Sequence, residues 1–277
     1  MDYVICIPTY KRYTHLRDQT LTMLKNEGYD PKDIFVYVAN EEEKKLYEAT
    51  LVPGTYGSLT VGVIGLPQQR NFIYDQFPIG QKILMLDDDI KEVMFKNEKR
   101  PVKEVVARMW ELAAQEGATL WSIYPCPNRF YCVERVVVGQ VFCVGCFHGV
   151  INTRTYYPDL AAAEDRWLTA SRILKDGKTL RYEGCCPKTV YFQKGGLYDY
   201  RHTNTKQYDD SVKVAEMFPT ICKLKQYKKN GFWDAVIPLK WVKKYQLFDS
   251  APTRDESKVA GDERGGCNCG SVSETPA

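Results

Sequence analysis

Three consecutive aspartates, Asp87, Asp88 and Asp89, follow an apolar run in the stretch LMLDDDI. Carboxylates that converge where a buried strand ends repel one another unless a cation or a basic side chain lies between them. Mg²⁺ and Mn²⁺ favour carboxylate oxygens together with the phosphate oxygens of a substrate. A solvated turn is the alternative, because Asp is common in turns. The apolar run before the triplet favours a divalent-cation site that bridges to a diphosphate.

The elements that must position this triplet are predicted from the first ninety residues. Apolar runs at 2–8, 34–40, 59–65 and 81–86 alternate with segments of helical spacing, which predicts an α/β fold with a mainly parallel sheet and helices on both faces. Ligands of such sheets bind at the carboxyl ends of the strands. The polar clusters PTYKR (8–12) and ANEEE (39–43) follow two of these strands, so we expect them to face the triplet.

The pattern changes after residue 90, where we expect a smaller mixed subdomain. Helices are predicted at 102–117, 160–178 and 209–219, and strand-like segments at 119–124, 130–138 and 140–152. The first ninety residues and 91–250 are interpreted as two halves of one domain. The polar, Gly-rich segment 251–277 is interpreted as a flexible tail.

Composition limits the classes of function. The 277 residues have 44% hydrophobic content, 26% charged content and a net charge of +3, which is typical of a globular protein and only mildly basic. No run approaches the roughly 18 apolar residues of a membrane span, and the N-terminus shows no secretory signal, so a cytoplasmic location is expected. The dinucleotide fingerprint and the P-loop motif are both missing, so any phosphate would be held by a metal and basic side chains.

Ten cysteines leave one metal alternative open. Cys143-x2-Cys146-x-His148 has the spacing of zinc ligands, with Cys126 and Cys132 upstream. The same segment is rich in Val, Phe and Ile, which favours buried core cysteines and a core histidine.

The chain resembles the GT-A nucleotide-sugar glycosyltransferases in three segments, which occur in the order IPTYKR, QQRN and LMLDDDI. The metal motif of that family is Asp-x-Asp at the end of the fourth strand. The resemblance implies that Asp89 binds Mn²⁺ or Mg²⁺ directly and that Asp87 approaches the ribose or a metal-bound water. Asn40 or Glu41 stands where the family usually has an Asp that contacts the base, which is a departure from the family pattern. The implied donor-binding residues are Pro8, Thr9, Tyr10, Arg12, Asn40, Glu41, Gln69, Arg70, Asn71, Asp87, Asp88 and Arg201.

The acceptor half is predicted from AAAEDRW and from a late histidine. A carboxylate about 3 Å from an acceptor hydroxyl can take its proton, although acidic residues in a first helical turn are also favoured by the helix dipole alone. By resemblance to inverting family members, Asp165 is the catalytic base and Glu164 orients the acceptor. His202 would join Asp87 and Asp89 on the metal, unless it is an ordinary loop histidine, and Arg201 would hold diphosphate oxygens.

Residues 3–220 also resemble a narrower group, the base J type of DNA glycosyltransferases found in phages and kinetoplastids. That resemblance implies a hexosyltransferase that uses a UDP-sugar, above all UDP-glucose. The implied acceptor is hydroxymethyluracil or hydroxymethylcytosine in DNA, in the host cytoplasm if the chain is phage-encoded. Three alternatives stay open: a GT-A transferase for a glycan, lipid or protein, an inactive GT-A binding module, and a nucleotidyltransferase, which usually has a Gly-rich loop that PTYKRYTHL lacks.

Independent support for a DNA acceptor comes from residues 223–244, where lysines alternate with aromatic residues. Such a face could track phosphates and stack on bases. A solvated surface above core aromatics explains the pattern equally well. The loop CPNRFYC is a further candidate for contact with the acceptor.

Overall fold

In the computed structural model, the described residues are 2–189, 204–227, 231 and 233–248. The strands are β1 Tyr3–Pro8, β2 Ile34–Val38, β3 Ser58–Val61, β4 Lys82–Leu86, β5 Glu92–Phe95, β6 Leu120–Ile123, β7 Val136–Gln140, β8 Phe147–Ile151, β9 Thr179–Tyr182, β10 Cys185–Lys188, β11 Lys223–Gln226, β12 Trp233–Val236 and β13 Lys240–Tyr245. The α-helices are α1 Tyr13–His15, α2 Thr22–Asn26, α3 Glu41–Thr50, α4 Leu66–Asp75, α5 Val102–Glu116, α6 Glu164–Asp176 and α7 Asn204–Met217. A π-helical stretch, Leu16–Leu21, joins α1 to α2, and Pro31–Asp33 and Arg129–Tyr131 form 3-10 turns. None of the described helices is both long and apolar enough to cross a membrane.

Nine strands form the central sheet, in the order β13-β7-β9-β6-β8-β4-β1-β2-β3. Strands β1 to β4 are parallel to one another, which confirms the prediction from the first ninety residues. The other half of the sheet is mixed, because β8 runs antiparallel to both β4 and β6. Two small antiparallel sheets, β5 with β10 and β11 with β12, lie beside it. The fold is therefore α/β, with the carboxyl ends of β1, β2 and β4 at one edge.

Met1–Leu247 forms one compact unit. The two predicted halves contribute strands to the same sheet, since β8 of the second half pairs with β4 of the first. The predicted tail, 251–277, lies outside the described residues. The helices α5 and α6 end at Gly117 and Gly177, as the sequence predicts. The backbone of each glycine has the left-handed conformation that is common at helix C-termini.

The predicted strand at 130–138 is wrong at its start. Residues Arg129–Tyr131 form a 3-10 turn, and β7 begins only at Val136. The Asn128 side chain accepts a hydrogen bond from the backbone N–H of Phe130 at 3.0 Å. This local bond stabilises a turn in place of a ladder of strand hydrogen bonds. The helix predicted at 209–219 in fact begins at residue 204, and the helix predicted from residue 160 begins at Glu164.

The core of the mixed half depends on a strand glycine. Gly149 lies on β8 directly opposite Trp121 of β6. Trp121 is fully buried and packs edge-to-face on Trp110 of α5, with ring centroids 5.3 Å apart. A methyl group added at Gly149 would overlap the Trp121 indole ring. The absence of a side chain at residue 149 is therefore what lets this tryptophan lie across the sheet.

Gly149→Ala is expected to lower the free energy of unfolding by about 1–3 kcal/mol, because the overlap must be relieved by shifting a fully buried indole. Chemical denaturation followed by circular dichroism measures this change. The double variant Gly149→Ala/Trp121→Phe should be less destabilised than the sum of the two single variants, since the smaller ring makes room. Strict additivity would show that the indole does not limit this position.

One buried carboxylate ties the edge strand β13 to α5. Glu116 is the last residue of α5, and only 3% of its side chain is exposed. Its carboxylate binds Lys178 and Lys243 at 3.0 Å and accepts a hydrogen bond from the Tyr245 hydroxyl. The hydrogen bonds from Tyr245, Lys243 and Lys178 lower the pKa of Glu116 to about 2. An ionised Glu116 therefore stabilises the folded state.

Glu116→Gln is expected to cost about 2 kcal/mol at neutral pH, in line with hydrogen bonds to charged groups. Since the folded pKa lies below the unfolded value, this stability is complete above about pH 5 and is lost as the pH falls toward 2. Unfolding at pH 7 and pH 3 tests this, and the difference between wild type and variant should shrink at pH 3. Glu111→Gln, an exposed position on the same helix, serves as the control. An equal difference at both pH values would contradict the account.

Candidate active site

The loop after β1 and the aspartate triplet after β4 meet at the carboxyl edge of the parallel strands. The Thr9 hydroxyl donates to Asp88 Oδ2 at 2.5 Å. Arg12 Nη1 lies 2.9 Å from Asp89 Oδ2 and 3.4 Å from Asp88 Oδ1. Because β1 pairs in parallel with β4, these two segments leave the sheet side by side. The predicted proximity of PTYKR and the triplet is confirmed.

Helix α3 supports the β1 loop from the other side. Asn40 follows β2 and caps α3, where its side chain accepts from the backbone N–H of Glu43 at 2.8 Å. The Tyr47 hydroxyl lies 2.6 Å from Thr9 Oγ1 and accepts from the backbone N–H of Arg12 at 3.1 Å. The Glu43 carboxylate accepts from the backbone N–H of Lys11 at 2.8 Å. The loop 9–12 is thus held in place by α3. Glu43 belongs to the predicted cluster ANEEE, whereas the sequence did not indicate Tyr47.

The three aspartates have different environments. The side chains of Asp88 and Asp89 are 7% and 10% exposed, whereas that of Asp87 is 36% exposed. Burial raises the pKa of Asp88 to about 7, and Arg12 opposes that rise. Burial likewise raises the pKa of Asp87 to about 6, an effect that its partial exposure to solvent weakens. Asp87 is therefore the carboxylate of the triplet most open to a ligand.

Two threonines that the sequence did not indicate fix the triplet. Thr20, in the π-helical stretch, donates its hydroxyl to the backbone carbonyl of Asp87 at 2.8 Å and accepts from the backbone N–H of Ile90 at 2.9 Å. Thr189, directly after β10, donates to Asp89 Oδ1 at 2.8 Å. The triplet is held at both ends and from the side by segments about 70 and 100 residues away in sequence.

Arg70 joins the triplet to the acidic pair at the start of α6. Its side chain is fully buried, with Nη1 3.5 Å from Glu164 Oε1 and Nη2 3.8 Å from Asp87 Oδ1. Nη2 also donates to the Gly145 carbonyl at 3.1 Å. Arg70 thereby neutralises two carboxylates that come from opposite halves of the chain. Its burial gives it the position of an internal bridge, and its contact with a donor diphosphate stays a prediction.

Gln69 and Asn71 flank Arg70 on α4, and their side-chain amides form hydrogen bonds with backbone groups. Gln69 is buried, accepting from the N–H of Val63 at 2.7 Å and donating to the carbonyl of Val38 at 3.0 Å. Asn71 exchanges two hydrogen bonds, of 2.9 and 2.8 Å, with the backbone of Tyr157. Both residues position the site, and their direct contact with a donor stays a prediction.

Asp165 lies next to this bridge. A methyl group on Gly145 would stand 3.2 Å from Asp165 Cβ and 3.3 Å from Arg70 Nη2, so the glycine lets the two side chains approach. Glu164 is buried against Arg70, whereas 24% of the Asp165 side chain is exposed. Of the predicted acidic pair, Asp165 is thus the member that solvent can reach.

Arg166 anchors the start of α6. Its guanidinium binds Asp234 of β12, with Nη2 2.7 Å from Asp234 Oδ2, and stacks over the Phe142 ring at 3.5 Å. Its backbone N–H donates to Asp165 Oδ1 at 2.8 Å. The orientation of Asp165 therefore depends on contacts made by the residue that follows it.

The zinc alternative at Cys143, Cys146 and His148 is not supported. The Cys143 thiol donates to the Leu180 carbonyl at 3.4 Å, and His148 Nδ1 lies 2.9 Å from the Gly145 carbonyl. His148 is completely buried, and this burial lowers its pKa to about 3. Among the described residues, no group of three His, Cys, Asp or Glu side chains is arranged to hold a metal. The interpretation as core residues is confirmed.

Several predicted residues lie outside the described part of the chain, namely Arg201, His202, Lys228, Lys229 and Phe232. The described lysines of the predicted basic face lie on different sheets. Lys223 and Lys225 are exposed on β11, and Lys240 and Lys244 are exposed on β13. Lys244 Nζ lies 3.8 Å from the ring centroid of the exposed Trp241.

Comparisons with known proteins give distant structural likenesses. No family model and no curated protein sequence matches the chain. S. aureus TarS 1-349 is 14% identical with a TM-score of 0.48, covering 78% of this chain and 66% of that chain. Its complex with UDP is 16% identical with a TM-score of 0.45, covering 68% and 59%. Glucosyl-3-phosphoglycerate synthase from Mycobacterium tuberculosis, in complex with Mn²⁺, UDP and glucosyl-3-phosphoglycerate, is 8% identical with a TM-score of 0.49, covering 85% and 87%.

The chain spans 66% or less of these TarS chains. Likenesses at these identities and TM-scores do not identify its family or its activity.

Proposed function

We propose that this chain is a metal-dependent, inverting glycosyltransferase of the GT-A type that uses a UDP-sugar. One observation carries the proposal: Arg70 bridges Asp87 at the end of β4 and Glu164 at the start of α6. A carboxylate suited to a metal–diphosphate and an acidic pair suited to an acceptor hydroxyl thereby lie on either side of one buried guanidinium. The sequence resemblance assigns the same two roles to these segments.

The donor would lie along the carboxyl edge of β1, β2 and β4. The loop residues Pro8 to Arg12, with Asn40 and Glu41, would contact the nucleotide. Mn²⁺ or Mg²⁺ would be held by Asp87 and Asp89, together with His202. The oxygen donors fit such a hard cation. Asp87 is partly exposed, and in the described part of the chain each Asp89 oxygen accepts one side-chain hydrogen bond, from Arg12 or from Thr189, which leaves it a second lone pair. When bound, the metal neutralises the charge of the departing diphosphate.

Asp165 would act as the general base. An acceptor hydroxyl is a weak nucleophile, and a positioned carboxylate can take its proton as the hydroxyl attacks the anomeric carbon of the sugar. Glu164 is held by Arg70 and would orient the acceptor side of the site. Arg166 would keep the Asp165 carboxylate in place through its backbone N–H and its anchor on Asp234.

For the acceptor, we propose a hydroxymethyl-pyrimidine in DNA, with UDP-glucose as donor. The narrower sequence resemblance supports this choice. The exposed lysines of β11 and β13 and the exposed Trp241 also suit phosphate and base contacts. A screen of UDP-sugars against hydroxymethylated DNA, glycans, lipids and peptides, each with Mn²⁺, tests both the proposal of a DNA acceptor and the proposal that the chain is a glycosyltransferase. Transfer only to another acceptor would overturn the DNA proposal, and no transfer to any acceptor together with no donor binding would overturn the enzyme proposal.

Asp87→Asn is expected to weaken Mn²⁺-dependent binding of UDP at least about 10-fold, since even outer partners of metal ligands are worth 10- to 100-fold in metal affinity. Isothermal titration with UDP, with and without Mn²⁺, measures the effect. Asp18→Asn, a change at an exposed carboxylate that pairs with Arg17, should leave UDP binding unchanged. Equal Mn²⁺ dependence in wild type and Asp87→Asn would remove Asp87 from the metal site.

A further inference from the structure

The two arginines at the aspartate triplet differ in their freedom to change partners. Arg70 is fully buried, so its guanidinium is an internal part of the fold. The Arg12 side chain, by contrast, is 14% exposed. Its Nη1 lies 2.9 Å from Asp89 Oδ2 and 3.4 Å from Asp88 Oδ1. Arg12 is therefore the arginine that a ligand in solution can draw away from the carboxylates.

The backbone at Arg12 is held by α3. Glu43 accepts from the backbone N–H of Lys11 at 2.8 Å, and the Tyr47 hydroxyl accepts from the backbone N–H of Arg12 at 3.1 Å. Lys11 has a φ of 55°, a left-handed conformation that is uncommon outside glycine and that these two hydrogen bonds stabilise. Because the backbone is held, Arg12 can exchange partners by a change of side-chain rotamer alone.

We infer that Arg12 couples the binding of the metal to the binding of the diphosphate. In the free protein its positive charge on Asp89 opposes Mn²⁺. When UDP binds, the guanidinium moves to the diphosphate oxygens and leaves Asp89 to the metal. This inference rests on the proposed function and deepens it, because it names the residue that links the two ligands.

The obstacle to a metal at Asp89 is charge and not space. In the described part of the chain, each Asp89 oxygen accepts one side-chain hydrogen bond, from Arg12 or from Thr189, and keeps a second lone pair. A divalent cation on this carboxylate would still share it with a guanidinium, which stays protonated at any physiological pH. Two positive charges at one largely buried carboxylate repel each other with little screening by solvent or salt.

A diphosphate removes this obstacle. Its oxygens offer the guanidinium the same charge-assisted hydrogen bonds that a carboxylate offers. After the exchange, Arg12 still has an anionic partner, Asp89 has the metal, and Asp88 keeps its hydrogen bond from Thr9 at 2.5 Å. No charge is left without a partner, so the exchange is favourable only when both ligands are present. By linkage, Mn²⁺ and UDP must then strengthen each other's binding by the same factor.

The test measures the binding of Mn²⁺ to the full chain, with and without UDP, from the electron paramagnetic resonance signal of free Mn²⁺. The titrations are run at pH 8, above the pKa of about 7 of Asp88. Without UDP, Arg12→Met is expected to bind Mn²⁺ at least about 5-fold more tightly than wild type, the lower end of typical coupling between two ligands. The factor by which UDP tightens Mn²⁺ binding should shrink in the same variant.

Two controls separate charge from structure. Arg12→Lys keeps the positive charge and should bind Mn²⁺ alone as weakly as wild type does. Arg17→Met removes an exposed arginine that pairs with Asp18 and should also resemble wild type. If Arg12→Met does not fold, as judged by circular dichroism, Arg12→Gln takes its place with the same expected result, because it keeps an N–H donor for Asp89 without the charge.

The outcomes distinguish this inference from the proposed function. If UDP tightens Mn²⁺ binding in wild type but the uncharged variant binds Mn²⁺ alone no more tightly than wild type, this inference is overturned and the proposed function stands. Wild-type Mn²⁺ affinity that UDP leaves unchanged would overturn the coupling as well. Wild type that binds neither UDP nor Mn²⁺ would overturn the proposed function, and this inference with it.

Discussion

Asp165→Asn is expected to lower the turnover of glycosyl transfer roughly 10²- to 10⁴-fold, the range typical of a lost general base. The amide cannot accept the proton of the acceptor hydroxyl, but it occupies the same volume. Donor binding should be unchanged, because the described contacts of Asp165 lie on α6 and around Gly145 and include no residue of the β1 loop. Turnover with saturating donor and acceptor, together with titration of UDP, separates the two effects.

Asp159→Asn is the matched control, since Asp159 is an exposed carboxylate just before α6 that bonds Gln68 at 3.1 Å. It should keep full turnover. Wild-type turnover in Asp165→Asn would exclude Asp165 as the base, and loss of UDP binding in the same variant would show that its role is structural.

Arg70→Met is expected to lower the free energy of unfolding by about 3–5 kcal/mol, because removing one partner of a buried ion pair leaves an uncompensated charge. Arg70 is fully buried, and the side chain of Glu164 is only 7% exposed. Methionine keeps most of the side-chain volume. The loss of stability therefore measures the removal of the guanidinium charge and of its hydrogen bond to the Gly145 carbonyl. Urea denaturation at neutral pH measures the change.

Two further variants sharpen this test. Arg17→Met removes an exposed arginine and should change stability by less than about 0.5 kcal/mol. Arg70→Met/Glu164→Gln should recover part of the lost stability, since the orphaned carboxylate is removed. If Arg70→Met is no more destabilising than Arg17→Met, Arg70 does not carry the bridge between the two halves.

The sequence predicted the part of the site that depends on regular spacing. Apolar runs followed by polar clusters predicted where β1, β2 and β4 end, and hence that PTYKR and the aspartate triplet would meet. Spacing alone does not say which charges pair, since Arg70 and Glu164 are 94 residues apart. Thr20 and Thr189 had no signal, because a threonine in a helix or after a strand is common and only long-range packing brings these two to the triplet.

The cysteines also show that sequence spacing alone does not identify which side chains form a site. Cys143-x2-Cys146-x-His148 has a metal-ligand spacing, yet the Cys143 thiol and the His148 ring each contact a different backbone carbonyl in the core. Sequence spacing therefore predicts a site only where the secondary structure between the residues determines which way their side chains point.

The most direct test of the central claim is transfer of a labelled sugar. The protein is incubated with Mn²⁺, UDP-glucose carrying a ¹³C-labelled glucose, and DNA containing hydroxymethyluracil or hydroxymethylcytosine, and the nucleosides are analysed by mass spectrometry. The account predicts a hydroxymethyl nucleoside that has gained one labelled hexose, together with release of UDP, and no such product from Asp165→Asn. Absence of any hexose gain with this donor, with every other UDP-sugar and with every other acceptor class would contradict it.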